Sequence, residues 1–92
     1  MSLNATYFQK VRIPTAGDAV KARIYAAGVK PAELAAAIGR SRGQVSRAIF
    51  GHQRNPTLQY DIYCAFIRLT GTDPKALPIQ QFWGTLYWRK PT

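Results

Sequence analysis

Apolar residues recur at helical spacing through the middle of the chain. Ala16, Val20, Ile24 and Ala27 lead up to Gly28 and predict a helix over about 17–27, and Thr15 followed by Asp18 resembles a capping box at its start. Pro31 suits a first helical position and Glu33 a first turn. With Leu34, Ala35 and Ile38 on one face, they predict a second helix over 31–38, closed by Gly39. Ser41 and Gln44 form an S-x-x-Q capping box, and Val45, Ala48 and Ile49 supply the inward stripe of a third helix at 42–50, which stops at Gly51. From Pro56 or Thr57, the series Leu58, Ile62, Phe66 and Leu69, widened by Tyr63 and Ile67, predicts the longest amphipathic helix, ending at Gly71 and flooring the core. Thr72, Asp73 and Pro74 can start one more short turn.

The two ends read differently. Tyr7, Phe8, Val11 and Ile13 alternate in part with polar residues, as in a short strand or extended arm, and Pro14 ends the pattern. Phe82, Trp83, Leu86, Tyr87 and Trp88 are dense in apolar surface, but their spacing does not separate helix from strand. The chain therefore divides into an arm at 1–14, a helical domain at 15–77 and an aromatic tail at 78–92. The tail either packs on the fourth helix or the arm, or forms a subunit interface. A homodimer joined through these flanking segments is the expectation. No repeat or low-complexity stretch interrupts the pattern.

The composition narrows the function. A chain of 92 residues, 47% hydrophobic and 18% charged, supports one folded core and no deep substrate cleft. No apolar run reaches the roughly 20 residues of a membrane span, and the start lacks a signal core, so a soluble cytoplasmic protein is expected. A single cysteine, Cys64, and a single histidine, His52, supply neither a disulfide nor a zinc site. Four scattered acids, three of them at expected first turns, leave no paired carboxylates. No Gly-rich cradle or Ser–His pairing is present either, so no enzyme, cofactor, metal or small-molecule substrate is expected. Thirteen Lys and Arg against four Asp and Glu give a net charge of +9, which calls for a polyanion. By charge alone, duplex DNA, RNA or an anionic membrane would serve equally.

The position of the charge is more informative. Between Leu34 and Tyr60 lie Arg40, Arg42, Arg47, Arg54 and His52, with no acid at all. A solvated helix face usually interleaves both signs, whereas a one-signed patch at a helix start is what phosphate contact requires. Three short helices with brief connectors, the third rich in Arg, form an arrangement in which one helix can lie across a groove.

The segment AELAAAIGRSRGQVSRAIFGHQRNPTL resembles the helix-turn-helix of the lambda-repressor and Cro family, a likeness that covers about 17–77. It is carried by Glu33-Leu34-Ala35, the turn Ile38-Gly39-Arg40-Ser41, Val45, Gly51 and Asn55-Pro56. Ala35 suits the crossing of the second and third helices, Gly39 the left-handed turn, and Val45 the fastening of the third helix. The resemblance implies an all-α domain of four to five helices whose helix-turn-helix, at about 31–51, lays the third helix in the major groove of duplex DNA. Base reading then falls to Arg42, Gln44, Ser46 and Arg47, since Arg matches guanine and Gln adenine, while Gly43 offers no side chain. Gln44 equally completes the capping box, and Arg47 also suits a phosphate or a solvated face. Lys30, Arg40, Ser41, His52 and Arg54 take backbone contacts.

Two positions depart from the family. Where many members place a phosphate-touching Gln at the start of the second helix, this chain has Pro31, with Lys30 as the available substitute. Where many bury an Arg–Glu pair, it has Ile24 and Ile49, an exchange that packed hydrocarbon tolerates. Family members commonly act as dimers on two-fold sites, and a phage or bacterial transcriptional repressor is the implied role. The alternative is a small phage or mobile-element protein that antagonises a host protein through its aromatic tail. A third class, peripheral membrane binding, is suggested by Trp83, Tyr87 and Trp88 beside Arg89 and Lys90, but leaves the helix-turn-helix unexplained.

Overall fold

The computed structural model describes residues 16–52 and 55–88. Five helices follow in order: α1 (Ala16–Ala26), α2 (Pro31–Ile38), α3 (Arg42–Ile49), α4 (Pro56–Thr70) and α5 (Ile79–Trp83), with a 3₁₀ turn at Gly84–Leu86. No strand occurs among the described residues, which agrees with the all-α expectation. The arm, Thr15 and Arg54 lie outside the described residues.

Local sequence explains the helix ends. Asn55 Oδ1 accepts the Leu58 N–H at 3.1 Å, and Pro56 occupies the first turn of α4, where its missing N–H costs nothing. At the end of α2, Gly39 has φ 69°, and the N–H groups of Gly39 and Arg40 donate to Ala36 O and Ala35 O. This left-handed closure turns the chain within Gly39–Ser41 and delivers it to α3. The third helix stops at Ile49, one residue short of the 42–50 expected. Phe50 is the C-cap, its N–H still donating to Ser46 O at 3.0 Å, and Gly51 (φ 80°) and His52 close onto Ala48 O and Arg47 O.

One core joins every helix. Val20 and Ile24 of α1, Leu34 of α2, Val45 and Ile49 of α3, and Leu58, Ile62 and Phe66 of α4 form a single buried cluster. The second helix packs on α3 and α4, while α1 packs on α3, α5 and the 3₁₀ turn. Ile24 and Ile49, 0% and 1% exposed, both lie inside this cluster, where neither could hold an unpaired charge.

The C-terminal aromatics correct the sequence reading. Phe82 and Trp83 are 0% exposed and belong to the same core, so they are not an appended interface. The Phe82 ring lies 5.8 Å from Tyr63 and 4.9 Å from Phe66 between centroids. Trp83 Nε1 donates to Gln59 O at 3.1 Å. The side chain of Gln59, itself buried, donates through Nε2 to Leu86 O at 2.7 Å and accepts the Trp88 N–H on Oε1 at 2.8 Å. Arg23 donates to Phe82 O, and the Tyr63 hydroxyl donates to Leu77 O at 2.6 Å. Burial pushes the Tyr63 phenol pKa up from its ordinary value. Both rings are taken up by the chain's own core, so Phe82 and Trp83 present no exposed surface.

Candidate nucleic-acid interface

The capping box of α3 forms as the sequence predicts. Ser41 Oγ accepts the Gln44 N–H at 3.1 Å, and Gln44 Oε1 accepts the Ser41 N–H at 3.1 Å. These reciprocal bonds fix where α3 begins and place Arg42 in its first turn. They also engage Gln44 and Ser41. A bidentate contact to adenine uses the amide oxygen of Gln, and here that oxygen already serves the cap.

Beyond the cap, α3 has two faces. Val45, Ala48 and Ile49 are buried, whereas Arg42, Gly43, Ser46 and Arg47 are exposed, at the i, i+1, i+4, i+5 spacing of one helix side. Arg47 Nη1 would lie 3.6 Å from a Cβ at Gly43, so its guanidinium reaches back along the helix toward the start of α3. The missing side chain at Gly43 thus leaves the surface over which Arg47 lies.

Next to this face is a cleft of about 280 Å³, walled by Lys21 and Tyr25 of α1, the α2 start at Lys30–Ala32, and Arg42, Ser46, Ile49 and Phe50. Three cations from three separate segments line it, and no carboxylate does. The Lys21 ammonium lies 5.8 Å from the Tyr25 ring centroid and 5.7 Å from that of Phe50. Lys30 is exposed, and its backbone N–H donates to the Glu33 carboxylate at 2.9 Å. Arg40 is exposed in the turn before α3, and His52 is exposed just beyond it, its N–H bonded to Arg47 O at 2.9 Å. Among the assigned residues that are described, Lys30, Arg42 and Ser46 meet in the cleft, while Arg40, Arg47 and His52 do not line it.

Lys21 and Tyr25 are additions that sequence reasoning missed. Their i, i+4 spacing on the outer side of α1 was visible, but only the packing of α1 against α3 brings them beside Arg42. A second groove, of about 620 Å³, runs between α4 and the C-terminal segment and is lined by uncharged residues that include Tyr60, Tyr87 and Trp88. Among the described residues there is no group of three His, Cys, Asp or Glu side chains placed to hold a metal, and no helix long and apolar enough to cross a membrane. Comparison of the chain with protein-family models, curated proteins and solved structures finds no match to any of them.

Proposed function

We propose that this protein binds duplex DNA sequence-specifically, with α2 and α3 acting as a lambda-repressor-like helix-turn-helix and α3 entering the major groove. The observation that carries the proposal is the one-signed outer face of α3. Arg42, Ser46 and Arg47 stand exposed above a buried apolar stripe, and Lys21 and Lys30 continue the positive surface across the neighbouring cleft. Arg42, Arg47 and Ser46 read base edges, while Lys30, Arg40 and His52 hold phosphates and set the register. Gln44 is assigned to the cap. The role is transcriptional repression, by occupying a site that other proteins need.

A two-fold assembly suits this reading, because paired recognition helices multiply weak half-site binding. With Phe82 and Trp83 committed to the core, the proposed self-contact moves to the uncharged groove around Tyr60, which is 59% exposed, and Trp88. Selection of bound sequences from random duplexes tests both parts. An inverted repeat is the expected product, a single unrepeated site would remove the dimer, and a pool without enrichment would remove specific recognition.

A further inference from the structure

We infer that the cleft between α1, the start of α2 and α3 is a binding site for a small phosphate monoester carrying an aromatic ring, a mononucleotide-like anion, and that its occupancy displaces DNA. The competitive half of this inference rests on the DNA reading above; the binding half does not.

The cleft combines two chemistries on separate walls. Lys21, Lys30 and Arg42 converge from three segments, and the lining has no carboxylate to neutralise them. A doubly charged phosphate meets such a cluster better than a single carboxylate does. The other wall is apolar and aromatic. Ile49, Phe50 and Tyr25 line it, and Tyr25 is 50% exposed. Among the described residues, Tyr25 is one of three large apolar side chains left so open, and it stays outside the buried cluster. An aromatic ring stacked on Tyr25 would cover it. The Lys21 ammonium, within 6 Å of both the Tyr25 and Phe50 ring centroids, sits between the two chemistries.

Size limits the occupant. A volume of about 280 Å³ lies just below the usual range for small-molecule sites and suits a single nucleotide. The regulatory consequence follows from shared residues. Arg42 and Ser46 line the cleft and also belong to the proposed reading face, so a ligand held there and a major groove held by α3 compete for the same groups. By reciprocal linkage, DNA weakens ligand binding as much as the ligand weakens DNA binding.

The test uses the full chain with adenosine 5′-monophosphate, and with ribose 5-phosphate and inorganic phosphate as ringless anions at matched ionic strength. Calorimetric titration should show the nucleotide binding more tightly than either ringless anion. Tyr25→Ala should weaken the nucleotide by roughly fivefold or more and leave the ringless anions unchanged, and Tyr25→Phe should restore it. Circular dichroism confirms that these surface variants fold. With the nucleotide at about ten times its own Kd, the apparent Kd for duplex DNA should rise about elevenfold. Equal binding of all three anions, or nucleotide binding indifferent to Tyr25→Ala, would overturn the site. Nucleotide binding that leaves duplex affinity unchanged would overturn the competition. Duplex binding without any nucleotide binding sinks this inference and spares the DNA reading, whereas Tyr25-dependent nucleotide binding without duplex binding keeps the site and removes both the DNA reading and the competition.

Discussion

Single residues set the position of α3. A Cβ on Gly17 would lie 2.8 Å from Phe50 Cα and 3.1 Å from Ile49 O, so the start of α1 approaches the end of α3 backbone to backbone. Helix propensity alone favours Ala over Gly by up to about 1 kcal/mol, but forcing the two segments apart costs typically about 1–3 kcal/mol. Packing should win, and Gly17→Ala should lower the thermal midpoint. A midpoint at or above that of the parent would mean the approach relaxes freely. Ile49→Glu places a carboxylate at a 1% exposed position among hydrocarbon and should cost several kcal/mol, or more than about 10 °C in melting temperature. A variant that melts like the parent would contradict the register of α3. The burial of Ile24 and Ile49 was legible from their spacing, as was the Ser41–Gln44 cap. Gly17 was not, because nothing local distinguishes a glycine that a distant backbone touches.

At the scale of elements, legibility followed the strength of local signals. The second, third and fourth helices carry a proline, a cap or a closing glycine at their ends, and their bounds agree with the sequence to within about a residue. The tail has Pro78 before α5 and Gly84 after it, but no side-chain hydrogen bond caps the start of that helix. Five residues of α5 make little more than one turn, too few for a period to declare itself, and the helix is held by partners far away in the chain: Arg23 donates to Phe82 O, and Trp83 donates to Gln59 O. The aromatic density that suggested an interface records instead how much of the core the tail supplies. Truncation after Pro78 should therefore unfold the protein. Removing buried Phe or Trp side chains costs about 3–5 kcal/mol each, and a domain holds only about 5–15 kcal/mol in total. Loss of the far-ultraviolet helical signal at room temperature is the expected outcome. A truncated chain that keeps its helices and melts cooperatively would return the tail to a peripheral role.

At the scale of the whole molecule, the surplus charge was legible in the composition, and its concentration around α3 was visible in the acid-free run from Leu34 to Tyr60. What the sequence withheld is the joining of that run to α1. Lys21 and Tyr25 become part of the same surface only when α1 packs against α3, a long-range contact that no local spacing encodes. The central claim is that this surface reads duplex DNA through the start of α3, with base contacts and phosphate contacts carried by different arginines. It is tested most directly by titrating the intact protein, Arg42→Ala and Arg40→Ala against a selected duplex and a random one at several salt concentrations. Arg42→Ala should lose about 1–3 kcal/mol on the selected duplex and shrink the ratio of selected to random affinity. Arg40→Ala should weaken both duplexes alike, keep that ratio, and make the logarithmic salt slope shallower by about one unit. An intact protein that binds neither duplex, or an Arg42→Ala variant that keeps the full affinity ratio, would contradict the assignment of α3 as the reading helix.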